Sequence, residues 1–396
     1  MSISIKNIGL RNIEVADTKI CFIDGENGVL TYRGYDIFDL AKNSTFEEVS
    51  YLLLYGDLPS PEELEEFDSK LRKERSIPRS IINAMKERPK TAAPMDVLLS
   101  SEVMLADYDD TSKDSKEDNL ERSIKLIAKF PTIIASWHAI RNNKDVIEPD
   151  PNLDHASNLL YMLHGKKPSK EFARYMDVTL ILHAEHSFNA STFGAREVAS
   201  TRAHMYACIA AGIAALSGEL HGGANMRVMK ALLEIGSVEK VEEWVKKKVE
   251  KGERIMGMGH AVYKTDDPRA KILREMSKRM AEKLKAPWYE MTRRLEEVAK
   301  REVRAKKGIE IYANVDLYSA SVFYMMGIPI DLYTPLFAAA RISGWCAHVI
   351  EEKFAEAQPK PVLYRPSASY VGKYCGPHGC EYIPLEKRRI LKEAKK

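Results

Sequence analysis

No Cys-x-x-Cys pair occurs in the chain; its five cysteines stand apart at 21, 208, 346, 375 and 380. That spacing excludes a zinc ribbon and the disulfide framework of a small secreted domain. No apolar run approaches bilayer length, since the most apolar stretch, 205–216, is short and rich in Ala and Gly. The first residues, Met-Ser-Ile-Ser-Ile-Lys, lack a basic region followed by an apolar segment, so no signal peptide is read and a soluble, cytoplasmic protein is expected. An excess of one charge is also missing. The 60 basic and 57 acidic residues leave a net charge of +3, which argues against a dedicated nucleic-acid binder while leaving local basic faces free to hold phosphates. There is no Gly-x-x-x-x-Gly-Lys-Ser/Thr loop, no alternation of strand with helix, no internal repeat and no low-complexity tail. What remains is a chain of 396 residues, 45% hydrophobic, with enough apolar side chain for a substantial core in one or two domains.

Strand signals are few and early. Cys21-Phe22-Ile23-Asp24-Gly25 and the stretch from Gly28 to Gly34 read as two short strands around a Gly-bearing turn. From Ile37 the pattern becomes helical and an all-α fold is expected. Thr45-Phe-Glu-Glu is a cap signature ahead of Val49, Leu52, Leu53 and Leu54, and Pro61-Glu-Glu-Leu opens a further helix. The acidic run 107–119 reads as a solvated loop, and 238–307 as amphipathic helices in which Val241, Trp244, Val245 and Val249 face away from a Lys/Glu side. Two segments, 202–216 and 336–350, carry Ala, Gly, Ser and Cys with little polar character on any face. A helix of that kind is buried, either in the core of its own subunit or against a second subunit around a two-fold axis. The second alternative is the expectation here, because His221 follows one of these segments and Arg341 lies within the other.

Three short motifs concentrate the chemistry. Gly-Glu-Leu-His-Gly-Gly-Ala-Asn (218–225), Gly-Met-Gly-His-Ala-Val-Tyr-Lys (257–264) and Ala-Asn-Val-Asp-Leu-Tyr-Ser (313–319) each present one acid–base group, His221, His260 and Asp316, among small or polar neighbours. Two imidazoles and a carboxylate suit a reaction in which a carbon acid loses a proton while carbonyls are polarised. Gly257-Met-Gly259 lacks the third glycine of a dinucleotide fingerprint, but with Arg254, Lys264, Lys306 and Lys307 nearby it could receive a phosphorylated cosubstrate. His183-Ala-Glu-His186 is not a zincin motif, and no metal site is expected. One of its histidines is read either as a hydrogen-bond donor to an anionic substrate near Asn189, Ser191 and Thr192, or as a core histidine. Arg269, Arg341 and Arg365 stand out as guanidinium groups suited to a di- or tricarboxylate, Arg341 most of all because so apolar a helix gives it no other reason to be charged. Cys375-Gly-Pro-His-Gly-Cys380 is open between a turn with two reduced thiols, a local disulfide and a link from the tail to Cys21.

In their order along the chain, the motifs around His221, His260, Asp267-Pro-Arg269-Ala and Asn314-Val-Asp316 resemble the citrate synthase family in its shorter, archaeal and bacterial homodimeric form. The similarity runs from Phe22-Ile23-Asp24-Gly25 and Tyr32-Arg33-Gly34-Tyr35 to Arg365-Pro366 and Tyr370-Val371-Gly372, nearly the whole chain. The resemblance implies an all-α subunit of a large domain (1–222 and 328–396, the latter with a C-terminal arm) into which a smaller domain (223–327) is inserted. It implies condensation of acetyl-CoA with oxaloacetate and water to citrate and CoA. Acetyl-CoA would be a co-substrate, with no tightly bound cofactor and no metal. Asp316 would take the methyl proton, His221 would bind the thioester oxygen, and His260 would polarise and protonate the keto oxygen. His186, Arg269 and Arg341 would hold the carboxylates, with Arg365 reaching across a homodimer into the partner's site. Gly257, Met258 and Gly259 would lie along the CoA site, and Arg254, Lys306 and Lys307 are its candidate phosphate contacts.

Met258 stands where many relatives carry an aromatic residue, and the Cys-Gly-Pro-His-Gly-Cys tail is no hallmark of the family. Two classes compete on this reading. One is a condensing enzyme, a citrate synthase or a 2-methylcitrate synthase using propionyl-CoA, a difference of one methylene worth about 1–3 kcal/mol. The other is a non-catalytic CoA- or carboxylate-binding protein on the same scaffold, which would have no need of the base Asp316.

Overall fold

The computed structural model describes residues 9–10, 13–111, 113–385 and 387–388. Two compact units make up the chain, Met1–Val362 and Leu363–Lys396.

In the first unit, β1 (Cys21–Asp24) and β2 (Val29–Tyr32) pair antiparallel with Cys21 opposite Tyr32 and Asp24 opposite Val29. The turn closes because Asp24 Oδ1 accepts from the backbone N–H groups of Glu26 and Asn27, both at 3.0 Å. A third strand that periodicity is too short to reveal, β3 (Tyr35–Asp36), adds to the β2 edge. Helices make up nearly everything else. First come α1 (Ile37–Asn43), α2 (Phe46–Tyr55), α3 (Pro61–Lys73), α4 (Arg79–Lys86) and α5 (Pro94–Met104). They are followed by α6 (Lys116–Arg141), α7 (His155–His164), α8 (Lys170–His183), α9 (Ala190–Ser200) and α10 (Met205–Ser217). The last six are α11 (Ala224–Ile235), α12 (Val241–Glu250), α13 (Pro268–Leu284), α14 (Trp288–Lys307), α15 (Val315–Met325) and α16 (Tyr333–Lys353).

The expected Thr45 cap and the expected helix start at Pro61 both form, the latter with a cap not read from the sequence. Thr45 accepts from Glu48 N–H at 3.2 Å, and Ser60 with Glu63 makes a reciprocal capping box ahead of Pro61. The acidic run 107–119 is not simply a solvated loop. Residues Leu105–Tyr108 form a 3-10 turn, and Ser115 with Asp118 caps α6, which already begins at Lys116. Its carboxylates are paired: Asp109 and Asp114 with the nearby Arg122, and Asp114 also with Lys353, far along the chain.

Helix α16 is the axis of the core, buried along all its length and packed on α2, α6, α8, α9 and α10. This corrects half of the interface expectation: the segment 336–350 is covered by its own chain. Its small residues allow the approach. A Cβ on Gly344 would lie 2.3 Å from Ala184 O, and one on Gly212 of α10 would lie 3.1 Å from the Trp345 ring. Helix α10 differs, because Ala207, Ala210 and Ala211 are only half-buried while Ala214 and Ser217 are exposed. Helices α11 to α15 pack largely on one another, through the pairs α13–α15, α12–α14 and α11–α15. Among the described residues no helix is long and apolar enough to cross a membrane.

In the second unit, Cys375 and Cys380 form a disulfide around a turn in which Gly379 N–H donates to Gly376 O at 3.1 Å. Cys21 is a buried free thiol, so of the three alternatives for the tail the local bridge is the one formed.

Candidate active site

A cleft of about 1140 Å³ opens in the first unit, and His186, His221, His260, Arg269, Asp316 and Arg341 all border it. They arrive from separate elements. His186 follows the end of α8, His221 lies in the turn between α10 and α11, and Arg341 projects from the middle of α16. Asp316 stands in the first turn of α15 and Arg269 in the first turn of α13. The hairpin supplies a further wall through Cys21, Phe22 and Ile23. Its turn rests against the His260 loop: Lys264 N–H donates to Gly25 O at 2.9 Å, and a Cβ on Gly25 would lie 2.3 Å from Val262 O.

Hydrogen bonds decide where each imidazole carries its proton. His260 Nδ1 accepts from the N–H groups of Val262 and Tyr263, at 2.9 and 3.2 Å, so the neutral ring holds its proton on Nε2. His221 Nε2 accepts from Ser191 N–H at 3.3 Å and lies 2.8 Å from Ser191 Oγ, so its proton is on Nδ1. Ser191 Oγ is in turn held by Asn189 Oδ1 at 2.7 Å and by Trp345 Nε1 at 3.2 Å. Burial, aided by Arg341, pushes His221 down to about 4, and burial aided by Arg269 does the same for His260. Both rings are therefore neutral at pH 7, and each offers one N–H as an electrophile.

The carboxylate is shifted the other way. Burial raises Asp316 to about 7, with Arg269 opposing the shift and Asp267 adding to it. A carboxyl with that value is poised to act as a base near neutral pH.

The sequence left two histidines open as anion ligands, and only His186 borders the cleft. Its Nε2 lies 3.2 Å from the Tyr263 hydroxyl and its ring 5.3 Å from that of His260. His183 instead bonds Thr179 O through Nδ1 at 2.7 Å and packs edge-on against Phe337. Arg269 is gripped by Asp267 through Nε and Nη2, at 3.0 and 2.7 Å; burial works against its charge and Asp267 more than offsets that. Arg341 donates Nε–H to His183 O at 2.8 Å and stacks 4.8 Å above the Phe337 ring. Burial weakens its charge, and Glu185 opposes that loss. Two buried guanidinium groups bordering one cleft are chemically suited to a small polycarboxylate.

Gly257 and Gly259 adopt φ +80° and +87°, and a Cβ on Gly257 would sit 2.9 Å from both Leu317 Cδ1 and Val228 Cγ2. Met258 pairs with Ala313 as an isolated antiparallel bridge. Arg254 and Lys307 border the cleft and are exposed. Lys306 is turned elsewhere, its Nζ donating to Val249 O and Glu250 O at 2.7 Å and closing the end of α12. Lys264 pairs with Glu26. Arg365 belongs to the second unit, where it is exposed. Sequence reasoning missed Tyr263 and Phe337 as neighbours of His186 and Arg341. Tyr263 was within reach, because it lies three residues beyond His260 in the same motif. Among the described residues no cluster of three or more His, Cys, Asp or Glu is arranged to hold a metal ion.

Together these groups define an all-α protein with an acid–base cleft suited to proton abstraction beside polarised carbonyls. The family model described as "Citrate synthase, C-terminal domain" matches residues 9–367. A citrate synthase of Synechocystis sp. is 43% identical over 384 residues, covering 96% of this chain and 94% of that one. The structure of Thermoplasma acidophilum citrate synthase, solved as a ternary complex with carboxymethyl coenzyme A and oxaloacetate, superposes with a TM-score of 0.88 at 32% identity, covering 96% of this chain and 98% of that one. A 2-methylcitrate synthase of Shewanella oneidensis is 37% identical over 92% of this chain and 94% of its own. The chain belongs to the citrate synthase family.

Proposed function

We propose that the cleft condenses acetyl-CoA with oxaloacetate and water, giving citrate and CoA. The observation that carries this reading is a carboxylate raised to about 7 in the same cleft as two imidazoles held neutral at about 4. Asp316 removes a proton from the acetyl methyl group while His221 donates its Nδ1–H to the thioester oxygen, yielding an enol. The enol carbon attacks the keto carbon of oxaloacetate. His260 passes its Nε2 proton to the keto oxygen as the new carbon–carbon bond forms. Water then cleaves the citryl thioester, releasing citrate and CoA. His186, Arg269 and Arg341 bind the carboxylates. The CoA moiety runs along Gly257, Met258 and Gly259, with Arg254 and Lys307 near its phosphates. In this reading the segment 223–327 is the smaller domain, and its closure shields the enol from water.

A homodimer is part of the same reading. Its support is the half-covered face of α10, whose alanines recur at helical spacing and whose small side chains suit close packing on a symmetry mate. Arg365 serves the partner's site, and the protein works in the cytoplasm.

Oxaloacetate-dependent release of the CoA thiol tests the reaction. Thiol release without oxaloacetate, which would be thioester hydrolysis, or no release at all sinks the condensation reading, and only the second outcome leaves a binding protein. Parallel assays with propionyl-CoA decide the second reading, 2-methylcitrate synthesis, whose Shewanella representative is less similar to this chain than the Synechocystis citrate synthase, at 37% against 43% identity. A kcat/KM for propionyl-CoA above that for acetyl-CoA would reassign the substrate.

A further inference from the structure

The two groups that must cooperate, the base and the imidazole that protonates the keto oxygen, sit on separate segments, 312–316 and 257–260. Backbone bonds lace the segments together. Gly259 N–H donates to Tyr312 O at 2.7 Å, and Asn314 N–H donates to Gly257 O at 3.0 Å. Among the described residues, the Asn314 side chain bonds across the gap. Asn314 Oδ1 accepts from Asp316 N–H at 3.0 Å, capping α15, while its Nδ2 donates to Gly259 O at 2.9 Å, on the residue immediately before His260. Its two ends thus hold the backbone of the base and the backbone of the imidazole's carrier.

We propose that Asn314 is a positioning residue that sets the separation of Asp316 from His260. The proposal rests on the functional reading above. The amide is the group this task needs. Its oxygen caps a helix as serine or aspartate could, but only an amide of this length also supplies an N–H to a carbonyl on the facing segment. The bond matters because the enol must reach the keto carbon within contact distance, and a misplacement of about 1 Å can cost on the order of 100-fold in rate. The groups read as carboxylate receptors have bonds of their own, Arg341 to His183 O, Arg269 to Asp267 and His186 beside the Tyr263 hydroxyl, so their hold on oxaloacetate should change less than the alignment of the base.

Asn314→Ser separates the two functions, since serine keeps a cap oxygen and is too short to reach Gly259 O. The expected result is a kcat lower by about 10- to 100-fold, with KM for oxaloacetate within about twofold of the parent and an unchanged melting temperature. A kcat within twofold of the parent overturns the proposal, and so does a loss of kcat matched by equal losses in oxaloacetate affinity and melting temperature. Should Asn314→Ser fail to fold, Asn314→Asp keeps size and cap while losing the N–H donor, and the same kcat/KM split decides. A parent chain with no oxaloacetate-dependent thiol release overturns the functional reading and this proposal together. An active parent with an unaffected Asn314→Ser variant overturns this proposal alone.

Discussion

Residue by residue, the site assigns its work through environment rather than through residue type. Asp316 is raised to about 7 while His221 and His260 fall to about 4, so of these three groups Asp316 is the one that changes charge near pH 7. Activity should follow it. The free enzyme's kcat/KM for acetyl-CoA rises with pH through about 7, because below that value Asp316 holds the proton it must remove. Asp316→Asn removes the base and should lower kcat by at least about 1000-fold while oxaloacetate still binds, measured by calorimetry or ligand-dependent melting. The same shift has a stability side. A carboxyl raised in the folded state stabilises fully below its unfolded value and loses that contribution as pH rises through the folded value. Asp316→Asn should therefore melt higher than the parent at pH 8, with the difference vanishing below about pH 4. A variant that gains nothing at pH 8 would show that Asp316 is not desolvated in solution.

Elements carry these side chains to the cleft by unusually close contacts between helices. Gly344 of α16 lies against the turn that follows α8, and a Cβ there would meet both Ala184 O and Glu185 Oε2 at 2.3 Å. Gly344→Ala should cost about 1–3 kcal/mol by overpacking. It should also raise KM for oxaloacetate, because the displaced turn carries His186; a variant matching the parent in both melting and KM would refute the contact. Helix α5 holds the opposite kind of flaw. Glu102 is completely buried, both carboxyl oxygens lack a hydrogen-bond partner among the described residues, and burial raises it well above the ordinary carboxylate range. Glu102→Leu should therefore stabilise the fold at pH 8 by about 1–3 kcal/mol, as read from urea unfolding. The gain shrinks as the pH falls towards the unfolded carboxyl value, where the parent's Glu102 is protonated in both states. These elements differ in how far they were legible from sequence. Caps such as Thr45 and Ser60 act over three residues, so their helices could be read locally. The hydrogen bond from Ser191 to His221, the sheath of helices around α16 and the pairing of Asp114 with Lys353 depend on chain segments far apart, and no local pattern encodes them. The three motifs proposed to carry the chemistry were legible in the sequence because small and polar neighbours surround His221, His260 and Asp316. The candidate phosphate ligands were not, because a lysine that closes a helix, as Lys306 does, has the same sequence signature as one that waits for an anion.

For the whole molecule, the question is whether one subunit contains a complete site. His186, Arg269 and Arg341 lie in the cleft of the unit Met1–Val362, whereas Arg365 belongs to Leu363–Lys396. If Arg365 serves the partner's site, Arg365→Ala and Asp316→Asn damage different halves of a shared pair. A homodimer of Arg365→Ala lacks the guanidinium at both sites, and one of Asp316→Asn lacks both bases. A mixed dimer pairs the intact Asp316 of the first variant with the intact Arg365 of the second, so one of its two sites is whole. Random reassortment makes half of the dimers mixed, so activity should recover to about a quarter of the parent's. The check is to mix the variants under conditions that dissociate and reform the dimer, and then to compare oxaloacetate-dependent thiol release before and after exchange. Activity that stays at the average of the two separate variants means that each subunit closes its own site. In that case Arg365 acts in cis or not at all. The disulfide between Cys375 and Cys380 adds a control, because it joins neighbours within the tail's own unit and closes only a short loop. Its reduction should leave the melting temperature of the helical unit within about 1 °C of the oxidised protein, so any change in complementation on adding a reductant would report on the tail rather than on the fold.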